Sequence, residues 1–364
     1  MTTVLVAGGG TGGHLMPALA LADEIRQRHP DWRVVLVGAK RGVEARLLPE
    51  RGYPYQLLSA EPIYRQRPWR NLRWPFLAVR LWREVGSLLE IERPDLVVGT
   101  GGYASGPVVY RAARRGIPTG IFEADARPGL TSRWLARVVD EIYLGSPEAA
   151  GGIVHGSGCQ SFVTGPPIRP PDPSLRAAGL LRFGIEAGRP VLMVTGGSQG
   201  AKAVNEAVAG MLGLGQLPDL QVVWATGTAG YLDFQHLHRP PQVQVYPFLD
   251  PIGEALAVAT IAVSRGGSLS LAELAAWGIP GIVIPLPTAA GDHQSRNAEA
   301  AAVAGAVVHL PQSKLTSFSL AEAVRNLVTN PSLMESIGTA AAARGRPGAT
   351  GEIVTRLEGL ISRR

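Results

Sequence analysis

The sequence predicts an α/β protein made of two doubly wound domains of similar size that face each other across a cleft. Its 364 residues are about twice the length of a typical domain, so two hydrophobic cores are expected. Short apolar runs alternate with helical patterns in both halves, and a glycine-rich turn follows the first run of each half. Such a turn between a strand and a helix is typical of Rossmann-like folds.

In the first half, five apolar runs predict buried parallel strands. They cover residues 4–7, 34–37, 96–99, 120–123 and 141–144. After the first run, apolar residues recur at helical spacing, with Pro17 in the first turn, where proline is tolerated. This stripe consists of Leu15, Ala18, Leu19, Ala22 and Ile25. The first half therefore begins with a strand–helix–strand unit.

The pattern restarts at Pro190. The further strand candidates are residues 191–195, 222–225, 243–246, 261–264 and 281–284. Between the halves, the prolines of residues 165–173 exclude both a helix and a central strand. We therefore predict domains at residues 1–165 and 166–364. A final amphipathic helix over residues 351–361 could belong to either domain.

Composition limits the class of protein and its environment. Cys159 is the single cysteine, which excludes an intrachain disulfide and a multi-cysteine metal site and fits a reducing compartment. Neither a signal-peptide pattern nor an apolar stretch of about 18 residues is present, so we expect a soluble or peripheral protein. The net charge of +6 favours an anionic partner, which could be nucleic acid, phospholipid or a phosphorylated substrate.

Residues 8–14, Gly-Gly-Gly-Thr-Gly-Gly-His, follow a predicted strand and open a helix. The backbone N–H groups of such a turn can bind an anion, and the residues satisfy the dinucleotide pattern Gly-x-Gly-x-x-Gly. A tight turn without a ligand has the same pattern. An NAD site would place an acidic residue at the end of the second strand, where Lys40 and Arg41 stand instead, so NADP stays open.

Three polar segments in the second half are also suited to binding a phosphate, a ribose or a sugar. Residues 195–201 repeat the strand, glycine turn and helix, which a dehydrogenase with one Rossmann domain would not need. Residues 264–273 add another helix start suited to an anion, with Glu273 one turn in, where a carboxylate can accept from both ribose hydroxyls. Residues 291–297 supply amides for sugar hydroxyls. Each segment alone is also compatible with an ordinary helix start.

Together these segments resemble the MurG family over residues 4–310. The resemblance is carried by residues 9–14, 101–107, 128–131, 196–201 and 272–276, followed by Asp292, His293, Gln294 and Asn297. It implies a GT-B fold with the acceptor on the N-terminal domain and UDP-N-acetylglucosamine on the C-terminal one. The implied reaction moves N-acetylglucosamine, with inversion, onto undecaprenyl-linked N-acetylmuramyl-pentapeptide in peptidoglycan synthesis.

The resemblance also implies roles for individual residues. His14 is similar to the proposed catalytic base, and Glu123 is the second catalytic candidate. Glu273 matches the ribose ligand and Gln294 the amide that holds the sugar hydroxyls. The other implied substrate-binding residues are Thr11, Gly12 and Gly13 of the first loop, Asp125 beside the donor sugar, Arg169 near the nucleotide, Ser198, Ser268, Leu269 and Ser270 around the diphosphate, the Phe248 and Leu249 backbone at the uracil, and Asn297.

Two segments depart from the family pattern. Residues 122–125 are Phe-Glu-Ala-Asp where the family usually has His-Glu-Gln-Asn, and residues 165–169 are Gly-Pro-Pro-Ile-Arg where it has Gly-Asn-Pro-Val-Arg. An ionised Asp125 can only accept a hydrogen bond, so the contact with a sugar hydroxyl is expected to change without being lost. Phe122 is expected to serve packing without proton transfer.

The implied mechanism is a single displacement in which a base takes the proton of the acceptor hydroxyl as UDP leaves. No Asp-x-Asp metal motif appears in the sequence, so we expect a transferase that needs neither metal nor cofactor. Three alternatives stay open. They are another GT-B enzyme that transfers from a UDP-sugar to a lipid or natural product, an NADP-dependent oxidoreductase, and a non-catalytic nucleotide-sugar binder.

Residues 64–76 interleave arginines with aromatic side chains, and residues 77–83 continue the pattern. A solvated helix edge has a similar composition. Tryptophan, however, suits the headgroup boundary, and each basic residue near anionic lipid contributes about 1 kcal/mol. We therefore expect peripheral binding to an anionic membrane, at the cytoplasmic face of the plasma or inner membrane. RNA could use the same residues, but no recognised nucleic-acid motif accompanies them.

Overall fold

The computed structural model describes residues 1–62, 72–186, 188–197, 200–215, 217 and 219–363. The chain divides into two compact units. The first unit contains Met1–Arg169 and Gly348–Arg364, and the second contains Pro170–Pro347.

The first unit is built on a seven-stranded sheet in which every pair of neighbours is parallel. Its strands are β1 (Thr3–Ala7), β2 (Arg33–Ala39), β3 (Tyr55–Leu58), β4 (Leu96–Gly99), β5 (Thr119–Glu123), β6 (Glu141–Leu144) and β7 (Gln160–Val163). Their order is β3-β2-β1-β4-β5-β6-β7, which is the doubly wound arrangement.

Helices cover both faces of this sheet, as a parallel sheet requires. They are α1 (Gly12–Arg28), α2 (Glu44–Leu47), α3 (Trp74–Glu92), α4 (Ser105–Arg114), α5 (Leu130–Leu135) and, from the end of the chain, α14 (Ala349–Ser362). One core cluster joins α3 and α4 to the sheet, and the other joins α1 and α14 to the opposite face. Short 3₁₀ helices cover Leu48–Glu50 and Pro147–Gly152.

The second unit repeats the arrangement with a six-stranded parallel sheet of order β10-β9-β8-β11-β12-β13. Its strands are β8 (Val191–Thr195), β9 (Gln221–Ala225), β10 (Val243–Tyr246), β11 (Ile261–Ser264), β12 (Gly281–Val283) and β13 (Val307–His309). Its helices are α6 (Leu175–Arg182), α7 (Lys202–Gly213), α8 (Tyr231–Phe234), α9 (Gly253–Val258), α10 (Ser268–Trp277), α11 (His293–Val303), α12 (Ser317–Thr329) and α13 (Pro331–Arg344), with 3₁₀ turns at Gln235–Leu237, Ala290–Asp292 and Gln312–Lys314.

The two doubly wound domains expected from the sequence are confirmed. The first unit extends to Arg169, beyond the expected boundary at residue 165, and it includes α14, the final helix that the sequence left open between the two domains. The physical reason is burial: Ile353, Val354 and Leu357 of α14 complete the core cluster beside α1. Thr350 Oγ1 also donates to the Ile168 carbonyl at 2.7 Å.

The strand order of each sheet reverses at one point, between β1 and β4 in the first unit and between β8 and β11 in the second. Loops that leave neighbouring strands there diverge to opposite faces and open a crevice, which is where ligands of such folds bind. The glycine turns after β1 and β8 therefore lie at the ligand-binding position of their own unit.

No helix among the residues that the structure describes is long and apolar enough to cross a membrane.

Candidate active site

The first glycine loop, residues 8–13, connects β1 to α1 and is followed by His14 in the first turn of the helix. The Thr11 carbonyl accepts from the His14 N–H at 3.1 Å, and Thr11 Oγ1 lies 3.1 Å from His14 Nδ1. The imidazole is thus in contact with Thr11, the N-cap residue of α1. Thr11 and Gly13 are exposed, whereas Gly12 and His14 are partly buried.

The turn after β4 packs against this loop, backbone on backbone. Thr100 Oγ1 donates to the His14 carbonyl at 2.7 Å. Gly101 and Gly102 have φ values of +100° and +83°, which favour glycine. A Cβ added at Gly102 would lie 1.8 Å from a carbonyl oxygen of the first glycine loop, and one at Gly101 would lie 2.5 Å from the His14 ring. The imidazole is therefore held by two turns that leave no room for larger residues.

Glu123, the second catalytic candidate, ends β5 and is 6% exposed. Its carboxylate accepts the N–H groups of Asp125 at 3.0 Å and Gly129 at 2.9 Å, and it also bonds the Ser132 hydroxyl. Burial raises the pKa of Glu123 above its usual value. These contacts are those of a group that shapes the loop over residues 124–129, and the catalytic role of Glu123 stays a prediction.

Phe122 and Asp125 occupy different environments on this segment. Phe122 is 1% exposed and belongs to the core cluster beside α1, which is the packing role expected of it. Asp125 is partly buried in the loop that Glu123 holds. A substrate contact of Asp125 stays a prediction.

In the second unit, a backbone hydrogen bond stabilises the glycine turn after β8. The Gly200 N–H donates to the Gly197 carbonyl at 2.9 Å, and both residues have positive φ. A Cβ at Gly200 would lie 2.3 Å from the Thr226 carbonyl oxygen. Ser198, which the sequence places at the diphosphate, lies outside the described residues.

The turn after β11 leads into α10, whose first N–H groups belong to Ser268, Leu269 and Ser270, all partly exposed. Gly267 is the N-cap, and no side chain of the described residues caps the helix. An uncapped helix start carries partial positive charge and directs its N–H groups toward an anion. The three predicted diphosphate ligands thus share one binding geometry.

Asn297 and Gln294 of α11 support this turn from the side. Asn297 is 6% exposed, and its Nδ2 donates to the Gly266 carbonyl at 3.2 Å. The Gln294 amide oxygen accepts the Leu286 N–H at 3.0 Å. Asn297 therefore stabilises the turn, while Gln294 is fixed by its oxygen. Their predicted contacts with sugar stay predictions.

Arg265 comes immediately before that turn and is 8% exposed. Its Nη1 donates to the carbonyls of Ile284 at 3.1 Å and Pro285 at 3.3 Å, and to Gln312 Oε1 at 2.7 Å. Burial lowers the pKa of this guanidinium, although arginine stays charged in proteins. Over the described part of the chain it forms no ion pair with a carboxylate. A buried positive charge thus precedes the start of α10.

Glu273 lies in the second turn of α10 and is partly buried. Among the side chains and backbone groups that the structure describes, none donates a hydrogen bond to its carboxylate. Burial raises the pKa of Glu273 to about 7. A partly buried carboxyl group with a raised pKa and no donor among the described residues is a candidate for ligand binding.

Three further predicted residues have distinct environments. Phe248 is 44% exposed and Leu249 is 4% exposed within the core, in the loop between β10 and α9. Arg169, expected near the nucleotide, belongs to the first unit, where its Nη2 lies 3.3 Å from Asp23 Oδ2. Its side chain is 70% exposed. Arg169 therefore belongs to the first unit, whereas Glu273 belongs to the second.

Sequence reasoning missed Glu44 and Arg265. Both are buried, at 0% and 8% exposure: Glu44 accepts the N–H of Gly10 in the first glycine loop, and Arg265 donates to the carbonyls of Ile284 and Pro285. Gly38 and Gly42 precede Glu44 closely in sequence, but this spacing alone does not single out the residue. The predicted independence from metal stays a prediction; the described residues contain no group of three or more His, Cys, Asp or Glu placed to hold an ion.

Comparison with known families defines the class of protein. Residues 4–144 match the glycosyltransferase family 28 N-terminal domain, and residues 191–349 match the glycosyltransferase family 28 C-terminal domain. The two matches fall on the two doubly wound sheets. The chain is thus a two-domain glycosyltransferase of the GT-B fold class, as the sequence predicts.

Individual relatives narrow this class. The UDP-N-acetylglucosamine–N-acetylmuramyl-(pentapeptide) pyrophosphoryl-undecaprenol N-acetylglucosamine transferase of Desulforamulus reducens is 35% identical over 369 residues, 99% of each chain. The protein of that name from Desulfitobacterium hafniense is 37% identical over 361 residues, 96% of this chain and 97% of its own. The crystal structure of Acinetobacter baumannii MurG aligns with a TM-score of 0.77 and 26% identity, over 98% of this chain and 99% of that one.

The chain belongs to the MurG family of glycosyltransferases. Membership favours sugar transfer over the NADP-dependent oxidoreductase and over a non-catalytic nucleotide-sugar binder.

The raised pKa of Glu273 predicts a pH-dependent effect on stability. Its folded-state pKa of about 7 exceeds the value of about 4.3 expected in an unfolded chain, so ionisation opposes folding. The contribution to stability is greatest below about pH 4 and is lost as the pH rises to about 7. Glu273→Gln should therefore raise the free energy of unfolding by about 3 kcal/mol at about pH 7 and change it little near about pH 4.

Urea unfolding at the two pH values measures this difference. Glu322→Gln, at an exposed position of α12 in the same unit, is the control. An equal effect of Glu273→Gln at both pH values would contradict the prediction.

Proposed function

We propose that this chain transfers N-acetylglucosamine from UDP-N-acetylglucosamine to an undecaprenyl-linked N-acetylmuramyl-pentapeptide, with inversion at the anomeric carbon. The relatives that match nearly the whole chain are named for this reaction. The single observation on this chain that carries the proposal is the pairing, on α10, of an uncapped start with the unpartnered Glu273 carboxylate one turn later. A nucleoside diphosphate needs both features: donors for its phosphates and an acceptor for its ribose.

The residues of the second unit would set the orientation of the bound UDP-sugar. Its diphosphate would accept from the N–H groups of residues 268–270, and the buried charge of Arg265 would favour the anion from below the turn. The Glu273 carboxylate would accept from the ribose hydroxyls. The Phe248 and Leu249 backbone would contact the uracil, while the NH₂ group of Gln294 would donate to the sugar.

The chemical step would be one displacement. The acceptor oxygen forms a bond to the anomeric carbon, the bond from that carbon to the phosphate oxygen breaks, and the electron pair leaves with UDP. The acceptor proton passes to His14. If Nδ1–H of the ring donates to Thr11 Oγ1, Nε2 is the basic nitrogen, which is the tautomer a general base needs. Negative charge that builds on the diphosphate is met by the α10 start, so no metal is required.

Donor binding tests the proposal. Glu273→Ala should raise the KM for UDP-N-acetylglucosamine about 10- to 100-fold, because a charge-assisted acceptor of about 1.5–3 kcal/mol is lost. Transfer from UDP-N-acetylglucosamine, UDP-glucose, UDP-galactose and UDP-N-acetylgalactosamine to one lipid-linked muramyl acceptor, with and without EDTA, measures the donor preference and the need for metal. Glu322→Ala is the matched control.

An unchanged donor KM in folded Glu273→Ala would remove the ribose assignment. More efficient transfer of another sugar, by kcat/KM, would replace N-acetylglucosamine as the proposed donor sugar. A requirement for metal would contradict the mechanism.

The base assignment predicts a separate effect on kcat. His14→Ala should lower kcat by about 10²- to 10⁴-fold while UDP still binds the second unit with normal affinity. Steady-state kinetics at saturating substrates and calorimetric titration with UDP distinguish the two quantities. A near-normal kcat would leave His14 with only a structural role.

A surface of the first unit supports binding to a membrane. We call it the α3 surface: Phe76, Val79 and Trp82 of α3, which are 81%, 54% and 44% exposed, with Tyr110 and Trp134 beside them. The rings of Tyr110 and Trp134 stack at 5.6 Å, and those of Trp82 and Tyr110 lie 6.3 Å apart. Exposed apolar side chains that adjoin one another mark an interaction site.

Basic side chains surround this apolar surface. Arg73, Arg83 and Arg133 are exposed, and the Arg111 guanidinium lies over the Trp82 ring at 4.6 Å. Aromatic residues at the headgroup level and cations toward the phosphates are the arrangement that binds anionic lipid. Residues 64–71 of the predicted basic segment lie outside the described part. We infer that the α3 surface docks on an anionic membrane, which would place the enzyme at the cytoplasmic face, beside its lipid-linked acceptor.

Phe76→Ser should weaken binding to vesicles that contain phosphatidylglycerol about tenfold, because the ring no longer enters the interface. Sedimentation with vesicles at low and high salt measures the partition, and added salt should weaken it. Phe318→Ser, which removes a phenylalanine 68% exposed on the second unit, is the matched control. Equal binding to neutral and anionic vesicles, or an equal loss with Phe318→Ser, would contradict the docking surface.

A further inference from the structure

A carboxylate lies inside the first unit, next to the first glycine loop. Glu44, the first residue of α2, is 0% exposed. Its Oε1 accepts the Gly10 N–H at 2.9 Å and the Ala39 N–H at 2.7 Å, and its Oε2 lies 3.0 Å from the same Gly10 nitrogen. Within the described ranges, no arginine, lysine or histidine forms an ion pair with it. Backbone N–H groups alone therefore satisfy the carboxylate.

Three glycines provide the space for this side chain. A Cβ added at Gly9 would lie 2.2 Å from Oε1, one at Gly38 would lie 2.4 Å from Cγ, and one at Gly42 would lie 2.1 Å from Oε2. None of the three has a positive φ, so their backbone conformations are open to other residues. Glycine is needed at these three positions because a larger residue would overlap the Glu44 side chain.

The contact continues from Glu44 to the proposed base. Gly10 precedes Thr11, whose carbonyl and hydroxyl both bond His14. The Tyr103 ring covers Gly10 from the other side, since a Cβ there would lie 2.6 Å from that ring. Glu44 thus fixes the segment that sets the position of the imidazole.

We propose that Glu44 is a positioning residue of the transferase, which anchors the first glycine loop so that His14 meets the acceptor hydroxyl. The carboxylate also occupies the Gly10 N–H, which is therefore not available to a phosphate. This role deepens the proposed function and rests on it.

Kinetics of Glu44 variants test the role. Glu44→Ala should lower kcat about 10²-fold, because a displacement of about 1 Å at a reacting group has that effect, while the KM for UDP-N-acetylglucosamine stays unchanged. Glu44→Gln keeps an oxygen that can accept from Gly10 and Ala39, so its kcat should lie between those of Glu44→Ala and the unaltered protein. The assay uses a short-chain acceptor in solution.

Glu84→Gln is the matched control. Glu84 of α3 also accepts from backbone, with its oxygens 2.6 Å from the Ser59 nitrogen and 2.7 Å from the Ser59 hydroxyl, but its bonds do not reach the first glycine loop. It should leave kcat unchanged. A loss of kcat with Glu84→Gln as large as with Glu44→Gln would reduce the role of Glu44 to general stability of the unit and overturn the proposal.

A double-mutant cycle with Gly42 tests the same role of Glu44 without relying on one variant that could fail to fold. Gly42→Ala should lower kcat in the presence of Glu44, because the new methyl group displaces the carboxylate, and should have no further effect on Glu44→Ala, where the space is vacant. Additive effects of the two substitutions would overturn the proposal.

His14→Ala separates this inference from the proposed function. If His14→Ala removes activity while Glu44→Ala and Gly42→Ala leave kcat unchanged, the positioning role fails and the base assignment stands. If His14→Ala itself leaves kcat unchanged, the base assignment fails, and the role of Glu44 in positioning that base fails with it.

Discussion

Parallel pairing at the reversal of strand order is the constraint on which the candidate site residues of each unit depend. Ala7 pairs with Gly99 and Ser264 pairs with Thr195, so in each unit the two central strands end level with each other. In the first unit the turns that follow pass within contact distance, and glycine at Gly101 and Gly102 lets the second turn approach the first glycine loop and the His14 imidazole. In the second unit the turn after β11 leads into α10, whose start has no side-chain cap among the described residues.

The charges of the second unit have the pattern of a surface prepared for an anionic ligand with hydroxyl groups. Among the described residues Arg265 has no carboxylate partner and precedes an uncapped helix, and one turn later Glu273 is held where ionisation is unfavourable. The proposed nucleoside diphosphate would compensate both groups, because its phosphates would meet the positive end and its hydroxyls the carboxylate. The first unit differs, because its glycine loop already contains an internal carboxylate, Glu44.

The sequence predicts the nine central strands because central parallel strands are apolar runs, and it also predicts the edge strand β10, which keeps Val243, Val245 and Tyr246. The three it misses, β3, β7 and β13, lie at sheet edges, and their residues are mostly exposed or only partly buried, so the apolar signal is interrupted. The residues around the glycine turns could be found from motifs in order along the chain. Glu44 could not, because its partner Gly10 is 34 positions away and only the folded sheet brings them together.

The path of the chain has a consequence for the order of folding during synthesis. The second unit is one continuous stretch, residues 170–347, inserted into a first unit whose core is completed by α14. Residues 170–347 leave the ribosome before Ile353 and Leu357 do, so the second unit has its full set of core residues while the first still lacks a helix over one face of its sheet. The half that is translated first is therefore the last to close, and until then it exposes the apolar face beside α1 to chaperones and to aggregation.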